Sequence, residues 1–294
     1  MSAYLKAVEN TMTVNAEQRG MTGLKQENEL KHTAEDLIRS QTICMVTGFC
    51  IKKQGAGETD GPLGTVALAY ALTKLGKRVI IVTDRYSSRM LKNSLACLGL
   101  MLELRMIDQD NPETIYDTIL AAPNGHILAI ERPGRAKDGK RYSMSGEDIS
   151  DIVPDADALF QWAHDNGIKT SAIGDGGNEI GMGKIRAHIE SNVYLGEQIA
   201  AVFPTDNLIV AGTSNWGSHA LAAVLSVMTG QMLMYDEEAE MALLKVLVDS
   251  GAVDGCTGAH SETVDGISLE QYMSVFRRIR AIAIAELKRE DSAI

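Results

Sequence analysis

Residues 78–84 read RVIIVTD, a run of β-branched residues that stops at an acid. Val, Ile and Thr suit a pleated, buried surface. The run is apolar at every position from Val79 to Val82, as in a parallel strand covered on both faces. The pattern repeats on either side of this stretch. HILAI at 126–130 stops at Glu131, and TSAIG at 170–174 stops at Asp175. TICMVTGFCI at 42–51, the stretch 101–107 and NLIVA at 207–211 supply further strands. Helical segments separate them. One opens on Pro62 and closes near Gly76; others cover 87–98, begin at Asn111-Pro112, and run over 155–166 and 215–228. Pro at the first helical position and Gly just past the last is the expected asymmetry. Ser268 and Gln271 form a capping box for the last helix, which carries Leu269, Tyr272, Val275, Phe276 and Ile279 on one face. Strands alternating with helices predict an α/β fold, a mostly parallel sheet with helices on both faces. Residues 1–40 are polar and helix-like, with Leu24, Leu30, Leu37 and Ile38 too sparse for a stripe. They are read as an N-terminal helical extension before a single α/β domain over 41–294.

Bulk properties exclude several functions. A formal net charge of −11 on 294 residues argues against nucleic-acid binding, which needs a basic face. No apolar run approaches the roughly 20 residues of a membrane span. The first twenty residues lack the apolar core of a secretory leader and carry Glu9 and Glu17, so a cytoplasmic protein is expected. Cys44, Cys50, Cys97 and Cys256 form no C-x-x-C pair and are read as small buried residues, with no zinc ribbon or disulfide framework.

Ligands of open parallel sheets bind beyond the carboxyl ends of the strands. Asp84, Glu131 and Asp175 stand at those ends, Glu58 and Asp60 follow the first strand, and Glu179 lies four residues past Asp175. One such acid is ordinarily a helix cap. Several at one edge repel each other, and a divalent cation removes the conflict. Carboxylates with few His and no paired Cys suit Mg²⁺ or Mn²⁺. Asp84, Glu131, Asp175 and Glu179 are therefore the candidate metal ligands, and Glu58, Asp60, Asp175 and Glu179 the candidate catalytic groups. Residues 174–183, GDGGNEIGMG, offer free backbone N–H groups and Asn178. The loop 55–61, GAGETDG, precedes a helix N-terminus but lacks the Gly-Lys-Ser/Thr of a P-loop. Arg132 and Arg135, beside Glu131, are candidate clamps for a substrate carboxylate. Ser214 and Asn215 offer a hydroxyl and an amide, although Ser214 could be only a helix cap. His219, alone on a helix, is read as a packed or surface residue.

Taken together, GETDGPLG (57–64), VTD (82–84), IERPGRAKDG (130–139), PDADALF (154–160), IGDGGNEIGMG (173–183), VAGTSNWGSHAL (210–221), VDG (253–255) and TVDG (263–266) resemble the D-glutamate cyclase-like family. The resemblance covers about residues 40–285 in order and is closest to stand-alone prokaryotic relatives. It implies a lyase that closes D-glutamate to 5-oxo-D-proline and water with Mn²⁺ or Mg²⁺, acting on a small amino acid, with a homo-oligomer compatible. A metal-dependent phosphohydrolase and a non-catalytic amino-acid-binding protein are the competing readings.

Overall fold

The computed structural model describes residues 3–24, 26, 28–107, 110, 112–120 and 124–291. The main sheet contains β1 Thr42–Thr47, β2 Arg78–Thr83, β3 Glu103–Met106, β4 Gly125–Ile130, β5 Lys169–Gly174 and β6 Asn207–Val210. All neighbours are parallel, in the spatial order β3-β2-β1-β4-β5-β6. The chain first builds outward from β1 to one edge, then returns to add β4 on the other side of β1. The connections after β1 and β4 therefore leave in opposite senses, which opens a crevice between them beyond the strand ends.

Successive strand residues face opposite sides, and both sides are filled. Ile43, Met45, Val79, Ile81, Leu128 and Ile130 enter one core. Cys44, Val46, Ile80, Val82, Ile127 and Ala129 enter the other. The first face is covered by α1 Ala3–Met12, α2 Glu29–Arg39, α3 Pro62–Lys74 and α4 Ser88–Cys97. The second carries α5 Pro112–Leu120, α6 Asp157–Asp165, α7 Arg186–Asn192 and α8 Gly196–Ile199. Three later helices, α9 Ser214–Thr229, α10 Glu237–Asp249 and α11 Leu269–Asp291, return to the first face.

Helix α9 buries every residue from Ser214 to Val227, so it lies inside the core with no solvent-facing side over that span. Its outer side is covered by α1, α2 and α11. Tyr272, Val275, Phe276 and Ile279 of α11 are buried in that layer, each apolar side chain contributing roughly 2 kcal/mol. The N-terminal helices are thus part of the core. Gln26 also closes the open edge of β6: its Oε1 accepts from Val210 N at 2.6 Å and its Nε2 donates to Val210 O at 2.7 Å. Pairing an edge strand in this way blocks its use as a template for another chain.

Several sequence expectations change in detail. The run 42–51 is not one strand: it breaks at Gly48, and Cys50–Ile51 pairs instead with Ala56–Gly57 as a small antiparallel ribbon. Helix α2 does carry a stripe, because Thr33 and Ala34 join Leu30 and Leu37 on the buried side. Cys97 and Cys256 are exposed, and only Cys44 and Cys50 are buried. Cys97 falls on the outward side of α4, whose buried residues are Met90, Leu91, Ser94 and Leu95; Cys256 lies in an open loop outside the helices and strands. The cap at Asn111 lies outside the described residues. The Ser268 cap forms as expected, with Gln271 N donating to Ser268 Oγ at 3.4 Å. Among the described residues no helix is long and apolar enough to cross a membrane.

Candidate active site

The loop after β1 is fastened to the start of α9. Asn215 Oδ1 accepts from Gly61 N at 2.9 Å and Gly64 N at 2.7 Å, while its Nδ2 donates to Thr59 O at 3.1 Å. Asp60 returns the contact: Oδ2 accepts from Ser214 N at 2.8 Å and Oδ1 from Asn215 N at 2.9 Å. These are N–H groups that a helix start leaves without internal partners. Thr213, not Ser214, is the N-cap, and its hydroxyl accepts from Trp216 N. Ser214 is thereby free to donate its hydroxyl to Glu131 Oε2 at 2.5 Å.

Glu131 follows β4 with φ 46°, a left-handed conformation that costs a side chain other than Gly or Asn. Gly61 (φ 86°) lets the loop pass over it, because a Cβ there would stand 2.4 Å from Glu131 Cβ. After β5, Glu179 folds back into its own loop. Its Oε1 accepts from Asp175 N at 2.8 Å and Gly176 N at 2.7 Å, and its Oε2 from Gly177 N at 2.6 Å. The glycine-rich loop thus wraps an internal carboxylate.

Glu58, Asp60, Glu131, Asp175 and Glu179 are all buried, and the Asp265 side chain is only 8% exposed. Arg19 bridges two of these acids. Its Nη1 donates to Asp175 Oδ1 at 2.7 Å, and its Nη2 forms a 2.9 Å ion pair with Asp265 Oδ2 without hydrogen-bond direction. Burial pushes the carboxyls of Glu58, Glu131, Asp175 and Asp265 up; neighbouring acids add to it at Glu58 and Glu131, and Arg19 opposes it at Asp175 and Asp265 without cancelling it. Burial and Asp265 bring Asp60 up to about 7. Burial works against the Arg19 charge, but Asp175 and Asp265 outweigh it and hold the guanidinium more firmly protonated than usual.

Two overlapping groups of oxygens could hold a cation: Asp60, Asp175 and Asp265, and Glu131, Asp175 and Glu179, each within 4.8 Å of one another. Asp175 is in both, and its buried Oδ2 has no hydrogen-bond partner. An orphaned carboxylate oxygen in an all-oxygen set fits a hard divalent cation. Beside the acids lies a cavity of about 400 Å³ with Arg19, Glu58, Glu131, Asn178, Cys256 and Asp265 on its wall.

The remaining candidates lie elsewhere or serve the scaffold. Asp84 joins neither cation group: its Oδ2 accepts from Arg132 Nη1 at 2.5 Å, and its Oδ1 accepts from Tyr86 N at 3.0 Å. Arg132 also donates to Gly48 O at 3.0 Å and Pro154 O at 2.7 Å, and its side chain is 0% exposed. Arg135 pairs with Asp155 at the surface. Asn178 lines the cavity and donates to Tyr142 O at 2.7 Å. His219 is packed, hydrogen-bonded to Glu240 Oε1 at 2.8 Å and to Tyr272 OH at 3.2 Å. Arg19 and Asp265 were not singled out as site residues from sequence. Asp265 had a signal in the TVDG motif, whereas Arg19 sits in a polar segment with none.

Fold and site define the class: a parallel α/β protein with buried carboxylate groups beside a cavity at the switch point of its sheet. The chain belongs to the family described as D-glutamate cyclase-like, C-terminal, whose model matches residues 8–280. Human mitochondrial D-glutamate cyclase is 30% identical over 242 residues, covering 77% of this chain and 39% of that protein. The chain therefore spans about two fifths of that relative's length. A solved structure, the sugar isomerase domain of an RpiR transcription factor from Sphaerobacter thermophilus, aligns with 83% of this chain and 97% of its own. Its 13% identity and TM-score of 0.34 carry no argument about the site.

Proposed function

We propose that this chain is a metal-dependent D-glutamate cyclase, a carbon–oxygen lyase that closes D-glutamate to 5-oxo-D-proline and water. The observation that carries the reading is a cavity walled by Glu58, Glu131, Asp265 and the cation Arg19, with Glu131 and Asp265 also belonging to the two cation groups that share Asp175, in a chain of this family. The α/β body over 41–294 is the catalytic unit, and Arg19 from the N-terminal extension completes its pocket wall.

The cation is Mn²⁺ or Mg²⁺, held by Asp175 with Glu131 and Glu179 or with Asp60 and Asp265. When bound, it supplies Lewis-acid polarisation of a carboxyl oxygen. Glu179 fixes the turn that presents Asp175. Asp60 ties the loop bearing Glu58 to α9. Glu58 faces the cavity and retains its proton to higher pH than a free carboxyl, which suits it to protonate a departing oxygen. Glu131 also faces the cavity and accepts the Ser214 hydroxyl; with the cation on Asp60, Asp175 and Asp265 it is the carboxylate left to take a proton from the substrate ammonium. One N–C bond forms to the carbon of the γ-carboxyl group, and one C–O bond of that carboxyl breaks. The two protons given up by the ammonium leave with that oxygen as water. Holding amine and carboxyl within attack distance supplies much of the rate.

D-Glutamate labelled with ¹⁸O in both γ-oxygens tests this chemistry. Product formed without a nucleoside triphosphate and retaining a single label is expected. Loss of both labels from the product, or an absolute need for a triphosphate, would contradict it.

A further inference from the structure

We infer that Arg19 is the residue that grips the substrate carboxylate. The inference rests on the proposal that the pocket takes a carboxylate-bearing amino acid. Such a ligand enters a cavity walled by Glu58, Glu131 and Asp265, and needs a counter-charge there. Among the described lining residues, Arg19 is the cation. Arg132 has no exposed surface and is held by Asp84, Gly48 and Pro154. Arg135 is engaged with Asp155.

Arg19 is aimed by a built segment. It closes the short turn Ala16–Arg19, flanked by left-handed Asn15 (φ 69°) and Gly20 (φ 78°). On one side, Gly212 N donates to Met12 O at 2.8 Å, and a Cβ on Gly212 would lie 1.7 Å from Val14 O. On the other, His188 Nε2 lies 2.9 Å from Gly20 O, and a Cβ on Gly20 would lie 2.3 Å from Asn192 O. The segment is seated against β6's exit and against α7, with the Arg19 side chain 20% exposed.

Arg19 already makes two contacts with carboxylates, so its planar fork is oriented for that geometry. Asp175, which accepts one of them, is the acid common to both cation groups. A cation held in either group would share that carboxylate and so free donors of Arg19 for a ligand in the cavity.

The test compares the parent protein with Arg19→Lys and Arg19→Met, all loaded with Mn²⁺. Glutarate is the probe, because it carries both carboxylates but no amine and cannot cyclise; its monoamide is the control. Calorimetry should show glutarate binding weakened roughly 10- to 100-fold in Arg19→Met. The preference over the monoamide should be lost, and Arg19→Lys should fall between. Mn²⁺ binding, read by electron paramagnetic resonance, should be undiminished in Arg19→Met. A purely structural role would lower the melting temperature without touching that preference. Glutarate bound by Arg19→Met as tightly as by the parent overturns the inference and leaves the proposed function standing. A parent that binds neither glutarate nor D-glutamate overturns both.

Discussion

Arg132 and Asp84 form an ion pair of 2.5 Å with both side chains wholly shielded from solvent. The pair pins the loop after β4 beneath the loop after β1, since the same guanidinium holds Gly48 O and Pro154 O. Removing one member strands the other charge in the interior. Asp84→Ala and Arg132→Met should each cost about 3–5 kcal/mol of stability, measured by urea unfolding. A loss of only a few tenths would show that the pair is not what holds these loops.

The seat of the N-terminal segment makes a second prediction. In Gly212→Ala the new methyl would collide with Val14 O, 1.7 Å away in the present backbone, so the segment bearing Arg19 must shift. We expect a stability loss of about 1–3 kcal/mol together with weakened carboxylate binding. Unchanged binding would mean that Arg19 is not delivered through this contact.

Charge burial predicts a pH dependence. Glu58, Glu131, Asp175 and Asp265 all have raised pKa values, and Asp60 stands at about 7. The unfolded chain releases these protons near pH ~4. The folded state therefore binds more protons above that, and stability is lost as pH rises through the folded values. Without added cation, the melting temperature should fall from about pH 5 to about pH 8. Mn²⁺ should raise it most at the upper end, where it meets ionised carboxylates. Asp175→Asn should remove the Mn²⁺ effect while the protein stays folded. A flat profile with no Mn²⁺ shift would contradict a buried, cation-ready cluster.

His126 gives a separate effect at the other end of the sheet. Burial pushes its imidazole down to about 4, and Nε2 lies 3.0 Å from Ser171 Oγ. The unfolded chain takes up a proton near pH ~6.5, so stability present above that value is lost as pH falls toward the folded one, by at most about 3 kcal/mol. His126→Leu should remove this share of the acid sensitivity. The readout is the difference in unfolding free energy between variant and parent across that range; a constant difference would refute it.

What the sequence made legible follows from which interactions are local. Parallel strands buried on both faces leave unbroken apolar runs such as 79–82, and the acids after them are adjacent in sequence, so sheet and acidic edge could be read together. The stripe of α2 was hidden because Thr33 and Ala34, small or polar by type, fill half of it. Helices α7, α8 and α10 lay in stretches that gave no reading. Arg132 looked like a ligand clamp beside Glu131, yet its side chain turns back to Asp84, 48 residues away. Arg19 was invisible because its partner Asp175 lies 156 positions on. Sequence spacing reports neighbours along an element, not which distant charge an isolated cation will meet.

The most direct test of the central claim is incubation of the purified chain with D-glutamate and, separately, L-glutamate, each with Mn²⁺ or with a chelator, followed by chiral detection of 5-oxoproline. The account predicts 5-oxo-D-proline from D-glutamate with Mn²⁺ and its loss with chelator. Folded, Mn²⁺-loaded protein that yields no 5-oxoproline from either enantiomer would contradict it.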